Sequence, residues 1–154
     1  MTYQRDELGE FSSVVCFKAV ITGVEDTLGK DGASVVFTRA GKVRGGNLAR
    51  DLGLAGTGLH GDELAAKLNA ALGQEGTRLA AVHGVREENG KITVDTTDTV
   101  CSAGEEMGSD RSCTFTMGAI WGALEAITGK TYLGEQTQSV LRGGQFDRFE
   151  FEEL

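Results

Sequence analysis

The chain has 154 residues, 40% of them hydrophobic and 25% charged, which is enough for one domain with its own core. Its formal net charge of −8 repels phosphate backbones and anionic bilayer surfaces, so nucleic acid and membrane surfaces are not expected partners. No apolar run approaches the roughly 20 residues that span a bilayer. The polar, acidic stretch 1–10 lacks the basic cluster and apolar run of a signal peptide. The three cysteines, Cys16, Cys101 and Cys113, are odd in number and lack metal-ligand spacing. They fit reduced thiols in a cytoplasm.

Leu8, Phe11, Val14, Val15, Ala19 and Val24 recur at three and four, predicting an amphipathic helix over residues 6–29 that Gly29 ends. Cys16 lies beside this stripe and is expected in the core. The β-branched run Ala33 to Arg39 predicts a strand. Residues 42–54 predict a second helix, weakened by Gly45 and Gly46. After a glycine-rich loop, Asp62 is the expected N-cap of a third helix with Leu64, Leu68 and Leu72 on one side.

The period then changes. Residues 79–86 and 91–97 alternate around Asn89-Gly90, a strong hairpin signal. A polar loop follows from Cys101 to Ser112, and then a helix over 114–128. Residues 131–141 and 146–153 predict two last strands, turning at Arg142-Gly143-Gly144. Helices first, then strands with one helix between them, make an α+β fold: one domain over 1–154 with a mostly antiparallel sheet.

The helix over 114–128 is the most informative stretch. Met117, Ile120, Leu124 and Ile127 make an apolar stripe, and Gly118 and Gly122, four apart, leave one face flat. Each glycine in a helix interior costs about 1 kcal/mol relative to alanine. That face therefore admits a bulky ligand or another backbone, the alternative without a ligand being a tight helix–sheet contact.

These residues resemble the 4-vinyl reductase, or hydrocarbon-binding, domain family. The resemblance rests on Cys113-Thr-Phe115, Gly118, Gly122, Thr128-Gly129-Lys130, Gly143 and Phe149-Glu150-Phe151. Upstream it rests on Leu28-Gly29, Val35-Val36-Phe37 and the spacing of Gly41 and Gly45. It implies a twisted antiparallel sheet packed with helices, commonly dimeric. That fold is shared with ligand-binding halves of bacterial aromatic sensors and with subunits of a vesicle-tethering complex. Members bind apolar or aromatic small molecules or act as assembly factors, and the family name suggests a tetrapyrrole. Sensor members carry zinc on a Cys before the glycine helix, a Glu-x-x-Cys on the next strand and a later Cys. Here those positions fall on Cys113, Gln136, Ser139 and the neighbourhood of Asp147, with Glu135 one residue out of register. One thiolate, one amide and one hydroxyl make a poor zinc site, so zinc is not expected.

The candidate ligand-binding residues are Phe115, Met117, Gly118, Trp121, Gly122, His83 and Cys113. Trp121 either stacks on a planar ligand or fills core or dimer interface. Phe115 and Met117 would join either arrangement. His83, on the first strand of the hairpin, would meet a ligand or a tetrapyrrole metal if it faced inward and solvent if it faced outward. His60 is expected in solvent. Cys101 and Cys113 flank one loop, either as a redox pair, as an attachment point or as inert thiols.

Asp95, Asp98, Glu105 and Glu106 fix no acid/base pair geometry. Nucleotide-binding glycine motifs and a nucleophile elbow are absent from the sequence. The Arg-Gly-Gly runs at 44–46 and 142–144 read as turns. The leading expectation is a non-catalytic cytoplasmic domain, homodimeric, holding an apolar, aromatic or tetrapyrrole-type ligand between the glycine helix and the sheet. An assembly or adaptor protein without a ligand is the alternative, and a reductase ranks last for want of a cofactor motif.

Overall fold

The computed structural model describes residues 4–154. Helix α1 (Val14–Asp51) starts at Ser13, an extended residue whose hydroxyl accepts a hydrogen bond from the Val15 N–H at 3.1 Å. This satisfies one of the donors that a helix start leaves open. The predicted start at residue 6 is therefore eight residues early. Gly29, at φ 75° and ψ 168°, breaks the helix into two arms. The break falls where the sequence placed it, because glycine tolerates positive φ. Phe17 and Leu48 line one cavity. In a straight helix, 31 residues would set them roughly 46 Å apart, so the chain reverses at Gly29.

The expected strand over 33–39 is absent, and Ala33 to Arg39 is helical. Ala33, Phe37, Gly41, Gly45 and Ala49 are all buried and recur every four residues along the second arm. Burying that stripe outweighs the modest β preference of Val35 and Val36, which face outward. The first arm also buries a different stripe from the one expected. Ile21 is in the core with Phe17 and Val24 packed on it, whereas Val15 is 72% exposed and Cys16 is exposed rather than buried. Arg44 to Gly46 is helix, not a turn.

Helix α2 (Gly61–Leu72) buries Leu64, Leu68 and Leu72 as expected. Its N-cap is His60 rather than Asp62; Asp62 and Glu63 sit in the first turn, where the helix dipole favours negative charge. Strands β1 (Ala81–Glu88) and β2 (Lys91–Thr97) pair antiparallel around Asn89 and Gly90, both at positive φ as a two-residue hairpin turn requires. Helix α3 (Thr114–Thr128) ends at Gly129 in the left-handed conformation. Strand β3 (Tyr132–Gln138) stops short of the predicted 141, and a 3-10 turn over Val140–Arg142 leads to β4 (Asp147–Glu153) through Gly143 at φ 87°. The result is one α+β domain with an antiparallel four-stranded sheet ordered β1-β2-β4-β3.

One sheet face is apolar and buried, with Val85, Ile92, Val94, Phe149 and Phe151. The other carries Asp95, whose carboxylate meets the Nε of Arg148 at 2.6 Å and a guanidinium nitrogen of Arg86 at 2.8 Å. Burial pushes the Asp95 carboxyl up, but the two guanidinium groups outweigh that and hold it below the usual carboxylate range. Among the described residues no helix is long and apolar enough to cross a membrane.

The long β2–α3 connection is clamped to α1 by charge. Lys18 Nζ donates to the Cys101 carbonyl and to Glu105, both at 2.7 Å. Arg111 meets Glu25 at 2.8 Å and Glu105 at 3.0 Å. The hydrogen bond from Lys18, aided by Arg111 and Ser109, lowers the Glu105 carboxyl from its ordinary 4.5 to about 2. A carboxyl depressed by folding adds stability that is complete above its unfolded value and is lost as pH falls toward the folded one. Glu105→Gln is therefore expected to lower stability by about 1–2 kcal/mol at pH 7, after discounting for partial solvent screening. The gap between variant and parent should close between pH 5 and pH 2. Urea unfolding at pH 7, 4.5 and 3 measures it, and a gap independent of pH would refute the charge clamp.

Candidate functional site

Four glycines form the α1–α3 contact. A Cβ on Gly118 would strike the Thr38 carbonyl, and one on Gly122 the Lys42 carbonyl. Reciprocally, a Cβ on Gly41 would strike the Phe115 carbonyl, and one on Gly45 the Ala119 carbonyl. The flat face of α3 thus receives the backbone of another helix, α1, rather than a ligand or the sheet that the sequence suggested.

Close approach at the glycines leaves space beside them. A cavity of about 460 Å³ lies between the two arms of α1, α3, the α2–β1 connection and the segment before α1. Its walls are Phe17 and Leu48 from the two arms, Phe115 and Ala119 from α3, and Leu72 and Leu79 from either end of the α2–β1 connection. Phe17 and Phe115 meet edge to face at 5.3 Å between ring centroids. Val100, next to Cys101, and Phe11 also line the cavity, with the Arg78 guanidinium 4.6 Å from the Phe11 ring centroid. A second, more open trough of about 760 Å³ continues past Phe11, Arg44 and Leu48. The volume and apolar lining of the first cavity are those of a small-molecule site.

Of the seven candidate residues, Phe115 lines this cavity. Gly118 and Gly122 face α1 backbone. Trp121 lies over Gly134 and Phe151, with its Nε1–H donating to Glu125 at 3.2 Å and Lys42 Nζ 4.4 Å from its ring centroid. Met117 packs half-buried against the core. His83 is exposed and shares a 2.6 Å hydrogen bond with the Thr97 hydroxyl.

Cys113 is bonded to Cys101, with Cα atoms 5.2 Å apart. This corrects the expectation of three reduced thiols. The end of the β2–α3 connection returns Cys113, the N-cap of α3, to the chain just after β2, a proximity that sequence spacing does not reveal. Around Cys113 the positions aligned with the zinc ligands do converge. Gln136 Oε1 accepts the Cys113 N–H at 2.8 Å. Asp147 is fully buried; its Oδ2 accepts the hydroxyls of Thr99 at 2.6 Å and Ser102 at 2.8 Å, and its Oδ1 accepts the Val140 N–H at 3.0 Å. Ser139 caps the turn through Leu141 N–H. Among the described residues no three His, Cys, Asp or Glu side chains are grouped to hold a metal.

No protein-family model matches this sequence, and no curated protein does. Solved structures do match. The chain shares its fold with a phenol sensor. The phenol-responsive sensory domain of the transcription activator PoxR, solved with phenol, superposes with a TM-score of 0.63 at 18% identity, covering 94% of this chain and 76% of that one. A trafficking protein particle complex subunit 3 from Naegleria fowleri, covalently bound to palmitic acid, superposes with a TM-score of 0.59 at 12% identity, covering 92% and 95%. At such identities the likeness is one of fold. It joins this chain to the two kinds of protein to which the sequence resemblance pointed.

The cavity residues that the sequence reading passed over are Phe17, Leu48, Leu72, Leu79 and Val100. Each is an ordinary apolar residue within or next to an element; the reversal at Gly29 brings Phe17 and Leu48 together, and the packing of α2, β1 and β2 adds Leu72, Leu79 and Val100.

Proposed function

We propose that this domain is a non-catalytic binding module of the 4-vinyl reductase type, holding an apolar or aromatic small molecule in the cavity between α1 and α3. The observation that carries the reading is that cavity, about 460 Å³ and walled by Phe17, Leu48, Leu72, Leu79 and Phe115. An apolar cleft of this size offers an apolar ligand dispersion contacts and burial from water. The phenol and palmitic acid carried by the two fold neighbours support an apolar ligand. Neither histidine lines the cavity, which favours a chain or a single ring over a metal-bearing tetrapyrrole.

The proposal extends to a homodimer paired through the outer face of α1, where Leu28, Val35, Val36 and Val43 are 44–70% exposed. It extends also to the absence of zinc. Cys113 is committed to a disulfide, and the oxygens of Asp147 are engaged by three donors, which leaves a poor donor set.

Native mass spectrometry of freshly purified protein tests all three parts. The expected spectrum is a dimer with a bound organic mass and no stoichiometric zinc. Leu48→Trp, which fills the cavity, should abolish both the bound mass and the fluorescence of added N-phenyl-1-naphthylamine. A parent protein that carries no bound mass and gives no fluorescence with the probe would end the binding reading.

A further inference from the structure

The mouth of the cavity is charged, and its charge has a sign. Three ionisable side chains reach the lining: Glu10, Arg44 and Arg78. Two arginines against one glutamate give the lining a net positive charge on a protein whose formal net charge is −8. Among the described residues neither arginine makes an ion pair. Arg78 spends one nitrogen, Nε, on the Gln74 carbonyl at 3.3 Å, leaving its terminal nitrogens available. Its backbone sits at φ 57°, a left-handed conformation that side-chain-bearing residues adopt at a cost. In that conformation its guanidinium lies over Phe11, above the cavity.

Arg44 approaches from the other side. It stands one helical turn before Leu48, on the same face of α1, and both residues line the cavity and the neighbouring trough. The apolar residues Phe17, Leu48 and Phe115 thus share one lining with two arginines, each a planar fork of N–H donors. Such forks match a carboxylate in shape and charge, and Arg is poorly replaced by Lys where both matter.

We infer that the ligand is an amphipathic organic acid, its apolar body in the cavity and its carboxylate at Arg44 and Arg78. The inference rests on the binding reading above and names the ligand class for that site. Glu10 shares the mouth and opposes a second negative charge, which favours a monoanion over a dianion. Lys67 and Glu75, both in the adjoining trough, offset one another.

The test is displacement of N-phenyl-1-naphthylamine, a neutral probe, by dodecanoate and by dodecanol at pH 7.5. The two competitors share a chain and differ in the head group. Dodecanoate should bind the parent at least ~10-fold more tightly than dodecanol does, a factor of the size set by one charge-assisted bidentate pair. The preference should shrink as salt is raised. Arg44→Met with Arg78→Met should erase the preference, because Met keeps an apolar stem and removes the charge. Arg44→Lys in the Arg78→Met background should restore part of it. Both arginines are exposed, and thermal melts check that the variants fold. If parent protein binds the alcohol and the acid equally, the acid inference fails and the apolar site stands. If neither displaces the probe, or the probe does not bind, the site itself fails and the inference with it. The salt dependence is read on the parent alone, so a variant that does not fold still leaves a decisive measurement.

Discussion

Gly122→Ala is expected to destabilise the domain by about 3 kcal/mol, against a helix propensity that alone would predict a gain of about 1 kcal/mol. The new Cβ would overlap the Lys42 carbonyl. That atom belongs to helix backbone and has no rotamer through which to escape. Relief requires α1 and α3 to separate along their whole contact, including the reciprocal sites at Gly41, Gly45 and Gly118. Gly45→Ala should behave alike, since its Cβ would overlap Ala119 backbone. Gly23→Ala is the control. That glycine also lies inside α1, but nothing stands within 4 Å of its would-be Cβ. It should stabilise by about 0.5–1 kcal/mol. Urea unfolding of the variants measures the effect, and equal shifts at positions 23 and 122 would refute the backbone contact. Because Gly45 and Ala119 also line the cavity, Gly45→Ala should weaken probe binding more than its loss of stability alone accounts for.

The opposite signs expected at positions 23 and 122 show what the sequence could and could not say. The glycine pair of α3 was legible as a flat face because its period matches the helix. Its partner was not, because Gly41 and Gly45 sit on a stretch whose valines suggested a strand followed by a new helix. Local preference distinguishes Val35 and Val36 from good helix formers by less than 1 kcal/mol each. Burial of Phe37 and Ala33, against Val35 left 70% exposed, outweighs it. The β1–β2 hairpin was legible for a local reason too: Asn89 and Gly90 specify the turn within two residues. The cavity was not legible, since it is assembled from segments as distant as Phe17 and Phe115. Of the candidate residues Phe115 alone lies on its wall, and it was singled out for its place beside the glycine helix. The same limit applies to the cysteines. Spacing in the chain suggested three free thiols, whereas the topology brings Cys101 and Cys113 to bonding distance and leaves Cys16 outside.

Asp147→Ala should cost about 3–5 kcal/mol, the largest effect of any single substitution considered. Asp147 is fully buried at the start of β4. Its carboxylate is the common acceptor for Thr99 and Ser102, just after β2, and for the Val140 N–H, just after β3. Alanine would leave the buried Thr99 hydroxyl with only a weak 3.5 Å contact to Cys113 Sγ, and would strip the half-buried Ser102 hydroxyl and Val140 N–H of this acceptor; each poorly satisfied donor costs about 1–3 kcal/mol. The penalty would fall where the β2–α3 connection, the disulfide and the end of β3 meet, so the loss should reach the cavity through Val100. Asp147→Asn separates charge from shape. Its one amide oxygen can still accept, but its NH₂ turns a donor toward a group that is itself donating. An intermediate loss of about 2–3 kcal/mol is therefore expected. Thr99→Val removes one donor together with its need for an acceptor, and should cost no more than about 1–2 kcal/mol. Denaturant unfolding of the three variants, with the Cys101–Cys113 bond kept oxidised, gives the series Ala, then Asn, then Thr99→Val in falling cost. If Asp147→Ala proves no worse than Thr99→Val, the carboxylate is not what ties the two strand ends together. The junction of β2, β3 and α3 would then rest on the disulfide and the Glu105 clamp.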